Sequence, residues 1–243
     1  MTPTSVKQGE CVPPSTNHAF TGFTRSTLRF LSQIRSHNDR EWFDAHRPDY
    51  ETHLLEPLQG LVVDLAPFML DIDPLFELRP AVGKTISRIF RDTRFSHDKA
   101  PFRSTMWITF KRPAKHWVES PTYFFELSSD SYRFGMGFYS AGPSTMDRLR
   151  GSIENDPLEF LEAIAFYPKQ GTFSLEGDTY KRPIPNQLVP EIQPWYQKKS
   201  FYLVSKRAAD DLLLRRELVD EIMDGYRMLV PIYRYLAASS TRR

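Results

Sequence analysis

The sequence predicts an α+β fold, a single domain in which an antiparallel sheet is flanked by N-terminal and C-terminal helices. Three observations carry that expectation. Apolar residues recur at helical spacing near both ends, as Leu28, Leu31 and Ile34 and again as Leu218, Ile222, Tyr226, Leu229, Tyr233 and Leu236. Between them, Met106, Ile108 and Phe110, then Tyr123, Phe125 and Leu127, then Tyr132, Phe134, Met136 and Phe138 alternate with the two-residue period of strands. The βαβ alternation that parallel sheets require is missing.

Taken in order, residues 1–19 are rich in Pro, Ser and Thr without periodicity and read as a flexible N-terminal tail. The domain is expected over 20–238, with a disordered tail at 239–243. Thr24 or Ser26 can cap the first helix, which the His37-Asn38-Asp39 break ends. From Asp39 a second helical pattern runs through Trp42, Phe43, Tyr50, Leu54, Leu58, Leu61, Val62 and Leu65. Pro48, Pro57 and Pro67 lie within it, so kinks or a split helix are expected.

Short runs rich in β-branched and aromatic residues follow, beginning with Lys84 to Phe90, and Ser129-Asp130-Ser131 is the turn between the second and third alternating strands. Gly135 and Gly137 share one face with Arg133, exposing bare backbone to a crossing helix or to a ligand. Ser144 and Asp147 resemble a capping box, and Asn155-Asp156-Pro157 opens a further short helix. Residues 168–195 look irregular, Phe201 to Val204 suggests a strand, and Pro231 is expected to bend the terminal helix.

Composition narrows the function classes. Cys11 is the single cysteine, which excludes an intramolecular disulfide framework and a thiolate zinc site. No signal-peptide-like core and no run of about 20 apolar residues appears, so the expectation is a cytoplasmic protein with no membrane partner. The net charge is only +2, yet residues 84–115 hold nine basic residues against Asp92 and Asp98. That segment is a local +7 island in an otherwise acidic chain.

Familiar catalytic motifs fail on inspection. Gly83-Lys84-Thr85 lacks the earlier glycine of a phosphate loop, because Leu78 stands there. Neither a His-Glu-x-x-His pair nor a Gly-x-Ser-x-Gly elbow occurs, and no cofactor motif identifies a cofactor. No metal site is expected, since any combination of His46 or His97 with Asp92 and Asp98 would have to be brought together by folding.

The basic stretch is different in kind. Arg88, Arg91, Arg94, Lys99 and Arg103 place five cations within sixteen residues, and guanidinium forks match carboxylate or phosphate oxygens in pairs. Arg88-x-x-Arg91-Asp92-x-Arg94-Phe95-x-x-Asp98-Lys99, followed by Pro101 and Phe102, resembles the signature of the mostly bacterial domain-of-unknown-function family 2461. Asn38-Asp39-Arg40-Glu41-Trp42-Phe43 with His46, Arg47 and Tyr50, and the later Gly135-Met136-Gly137-Phe138-Tyr139, extend the resemblance over about residues 23–238. It implies no reaction, cofactor or catalytic residue. Phe102 stands where that family usually has tyrosine, and Asp39 where a second asparagine is common.

Trp42, His46 and Tyr50 fall on one helical face with Arg47 beside it. That face either packs on the sheet or brings His46 and Arg47 to the arginine cluster as a second wall. The leading expectation is therefore a pocket for a small phosphate- or carboxylate-bearing ligand, built by Arg88, Arg91, Arg94, Lys99, Arg103, Arg47 and His46, with Asp92 and Asp98 orienting the arginines. In an enzyme, Asp92, Asp98 or His46 would be the proton-transfer candidates. The alternatives are nucleic-acid contact through residues 84–115, with Trp107, Phe110 or Trp117 as stacking surfaces, and a structural or interaction domain. In that last case the arginines form an internal network with acids such as Glu41, Asp44, Asp49 or Glu51.

Overall fold

The computed structural model describes residues 19–94, 96–113 and 119–240. Most of both expected tails, Phe95, and the stacking candidate Trp117 with Lys115 lie outside the described residues. The helical N-terminal region comprises α1 (Arg25–Ser36), α2 (Arg40–Ala45), α3 (Arg47–Tyr50), a π turn (Glu51–Leu55) and α4 (Glu56–Ile72). Thr24 caps α1 in a reciprocal capping box with Thr27, and the Asp39 side chain accepts the Trp42 amide at the start of α2.

The split expected from the prolines has a specific cause at Pro57. Proline offers no N–H to the carbonyl four residues earlier, which belongs to His53. That carbonyl instead accepts a hydrogen bond from the Thr27 hydroxyl at 2.6 Å, tying the π turn to α1. Within the turn, the Glu56 amide reaches back five residues to Glu51.

The sheet contains β1 (Met106–Phe110), β2 (Pro121–Leu127), β3 (Ser131–Phe138), β4 (Ser174–Glu176) and β5 (Tyr202–Ala208) in the order β1-β2-β3-β5-β4, with every pairing antiparallel. Ile108, Phe125 and Phe134 stand opposite one another on one face, and all are fully buried. The remaining helices are α5 (Pro143–Asn155), α6 (Pro157–Ile164), α7 (Gln193–Tyr196) and α8 (Leu218–Ser239), the last running one residue past the expected domain end.

The buried face is covered by α8, whose Gly225 lets the Phe134 ring approach so closely that a Cβ there would sit 2.6 Å from a ring carbon. The Tyr226 hydroxyl donates to the Phe124 carbonyl at 2.7 Å, and Phe23 stacks on Phe125 from the N-terminal side. One continuous core runs from Phe20 to Leu236.

Several expectations need correction. Lys84 to Phe90 is not a strand but a chain of isolated bridges, Val82 to Ile86, Ile86 to Ile108 and Phe90 to Phe102. Gly83 turns the backbone at φ +80°, and the Ser87 side chain accepts the Trp107 amide in place of a ladder bond. Ser144 does not cap α5, because Gly142 is the cap and Pro143 takes the first turn.

The neighbour that needs Gly135 and Gly137 bare is a strand rather than a crossing helix. A Cβ on Gly135 would lie 1.9 Å from the Leu203 carbonyl oxygen, and one on Gly137 would lie 2.4 Å from the Tyr202 Cα, so β5 itself occupies that space. Within the region expected to be irregular, the short β4 pairs with β5. Phe110 is fully buried and offers no stacking surface.

Candidate functional site

The basic stretch folds as a loop along the edge of β1. The Arg91 amide bonds the Pro101 carbonyl and the Arg103 amide bonds the Ile89 carbonyl, both at 2.8 Å, around the Phe90–Phe102 bridge. Asn38 clamps this loop: its amide donates to the Phe102 carbonyl at 3.0 Å and its oxygen accepts the Phe102 N–H at 2.9 Å. The Phe102 ring then stacks on Phe43 at 4.3 Å and meets Phe90 at 5.0 Å. The two blocks that resemble the family signature thus meet in space, and a clamp joins them.

Inside the loop, cations find partners close in sequence. Arg94 makes a bidentate bond to Asp92 at 2.9 and 2.7 Å, holding that carboxyl at about 2, and its side chain is 77% exposed. Arg91 pairs with Asp98, which that hydrogen bond lowers below its usual value, and Lys99 donates to the Thr93 carbonyl at 3.0 Å. Arg88 is exposed and lies over Gly83, with no ion pair among the described residues. The acids named as alternative partners are used elsewhere or unused here, since Asp44 takes Arg47 at 2.8 Å.

The N-terminal wall does not form either. Arg47 lies over the Phe43 ring at 5.2 Å, whereas His46 stacks on Trp42 at 4.1 Å and lines a separate cavity beside α1. Among the described residues, no group of three or more His, Cys, Asp or Glu side chains is placed to hold a metal ion.

Arg103 departs from its neighbours. Its guanidinium lies over the Trp107 ring at 4.8 Å, and its buried Nε has no hydrogen-bond partner. Trp107 in turn walls a groove of about 310 Å³ on the sheet face opposite the core, shared with Thr109, Thr122, Phe124, Glu126, Arg133, Tyr139 and Tyr202. This volume lies in the range of small-molecule sites.

At the end of the groove, Arg133 grips Glu126 across β2 and β3 through Nε at 2.8 Å and Nη2 at 2.9 Å. A guanidinium has five N–H donors, so three remain for other acceptors. Lys206 holds Glu176 at 2.7 Å and lowers its carboxyl, and the Tyr202 hydroxyl donates to the same carboxylate at 3.1 Å. Burial raises the Tyr202 phenol. The groove therefore combines aromatic walls, hydroxyls and internally neutralised ion pairs.

Of these lining residues, Arg133 stands out in sequence only as a charge on the otherwise small-residue face of the third strand. Phe124, Glu126 and Tyr202 alternate with core residues and give no signal until β5 is placed beside β3. Among the described residues no helix is long and apolar enough to cross a membrane. No curated protein matches the chain. The model of the conserved hypothetical protein family DUF2461 matches residues 26–235, and the chain belongs to that family.

Proposed function

We propose that this protein is a binding domain for a small molecule that joins a flat ring to a carboxylate or phosphate. The ring would lie against Trp107, Phe124 and Tyr202, and the anionic group would reach the Arg103 end. The observation that carries this reading is the groove itself, a concave aromatic site beside an arginine whose Nε lacks a partner. From the basic stretch, Arg103 lies against a wall of that groove, which supports it as the contributing cation.

Nucleic acid is the weaker candidate. The groove's Arg133 pairs with Glu126, and the neighbouring Lys206 pairs with Glu176, so these cations of the sheet face are neutralised within the protein rather than left for phosphates. A purely structural role for the loop arginines is weakened by the exposure of their ion pairs, since such pairs add little stability.

Thermal-shift screening with aromatic carboxylates and nucleoside monophosphates tests the reading. Stabilisation that grows with ligand concentration and disappears in Trp107→Ala is expected. Failure of every compound to stabilise the wild type, or undiminished stabilisation of Trp107→Ala, would overturn it.

A further inference from the structure

The aromatic groove does not stop at the Arg133–Glu126 pair. A wider cavity, of about 540 Å³, begins there, sharing both residues and continuing past Ser128, Ser131 and Lys206 beside the β2–β3 turn. Strand register explains the junction. Trp107 stands opposite Glu126, Glu126 opposite Arg133 and Arg133 opposite Lys206, so the four side chains cross one face of β1, β2, β3 and β5 as a single row. Arg103 lies over Trp107 at the start of this row. On the groove side of it, the Phe124 and Tyr202 rings meet edge to face, 6.3 Å apart.

The wider cavity is polar, but its charges are spoken for. Arg133 pairs with Glu126 and Lys206 with Glu176, while Arg207 and Asp130 pair with Glu221 and Arg35. A further ion would have to compete with one of these pairs, whereas a hydroxyl can bond to both members of a pair without separating them. At the junction the spare capacity is of both kinds. Each Glu126 oxygen accepts one bond from Arg133 and keeps a lone pair for another, and three guanidinium N–H groups remain. A vicinal diol matches this pair, because each of its hydroxyls donates and accepts. Acidic side chains hold ribose hydroxyls in other nucleotide sites. The two-bond grip fixes both half-buried side chains in advance, so binding a diol orders little that is not already ordered.

We infer that the ligand of the groove is a ribonucleoside monophosphate, with its base on Trp107, Phe124 and Tyr202, its ribose diol on Glu126 and Arg133, and its phosphate at Arg103. This rests on the groove reading above and goes beyond it by naming the sugar. Arg133 offsets the Glu126 charge, so the carboxylate can hold the diol close to a phosphate. Isothermal titration calorimetry of the wild type tests it, using adenosine, guanosine, cytidine and uridine monophosphates, each beside its dideoxy counterpart lacking both diol hydroxyls, and benzoate as a ring with an anion and no sugar. At least one ribonucleotide should bind, and its dideoxy counterpart should bind about tenfold more weakly, through lost hydrogen bonds to charged groups. Glu126→Gln should weaken that ribonucleotide about fivefold and shrink its advantage over the dideoxy form, which a merely structural role of Glu126 does not do. Equal wild-type binding of the ribo and dideoxy forms, or an undiminished advantage in Glu126→Gln, would overturn the diol assignment and leave the groove reading standing. Binding of benzoate without any ribonucleotide would do the same, and no binding by any of these compounds would overturn both.

Discussion

The loop over residues 88–103 and the sheet face around Arg133 both carry arginine–carboxylate pairs, but they use them oppositely. In the loop, Arg94 and Asp92 are two residues apart and mostly exposed, so each charge cancels locally and the pair orders a turn. On the sheet, Arg133 and Glu126 sit on neighbouring strands, 37% and 24% exposed, beside aromatic walls. Charge density along the chain marks the clamp, whereas one guanidinium on an aromatic face marks the cavity.

The largest effect expected from testing this contrast is at Gly135, beneath the groove. Gly135→Ala drives a methyl group to 1.9 Å from the Leu203 oxygen, so β3 and β5 must separate and stability should fall by about 3 kcal/mol or more in urea denaturation. Next comes the clamp. Asn38→Ala removes both bonds to Phe102 and should cost about 2 kcal/mol, read as a lower urea midpoint with unchanged slope. An unaltered midpoint would mean that the loop is held otherwise.

A buried pair supplies the yardstick between these extremes. Asp73 is 3% exposed; burial alone would raise its carboxyl, but hydrogen bonds from Tyr233, the Leu75 amide and Arg112 outweigh that and lower it below 3.8. A carboxyl lowered in the folded state stabilises above its unfolded value, and that contribution is lost as pH falls through the folded one. Unfolding free energy should therefore drop below about pH 4 and do so less in Tyr233→Phe, as acid titration of the melting temperature would reveal. The smallest effect belongs to the loop, where Arg94→Ala should leave the melting temperature unchanged within error, because its ion pair is solvent-exposed. A clear loss there would restore the loop arginines to a structural role.

Much of the fold was legible because it rests on local chemistry. The period of Leu28, Leu31 and Ile34, the Thr24 cap, the prolines that split the second helix and the alternation of Tyr132 to Phe138 all act within a few residues. The site was less so, because its parts are assembled by pairing. Nothing near Tyr202 in sequence says that β5 inserts between β3 and β4, and only that insertion puts Tyr202 beside Arg133. Gly135 and Gly137 signalled close approach correctly, but the approaching backbone was a strand. His46 illustrates the same limit: helical spacing suggests its face, but only the packing of α1 against the following helices puts it in a cavity with Arg29 and His53.

The most direct test of the account compares Trp107→Ala with Arg91→Gln, using the planar acid that best stabilises the wild type. Arg91→Gln should keep the full thermal shift while Trp107→Ala loses it. Loss in Arg91→Gln with retention in Trp107→Ala would contradict it and return the site to the basic loop.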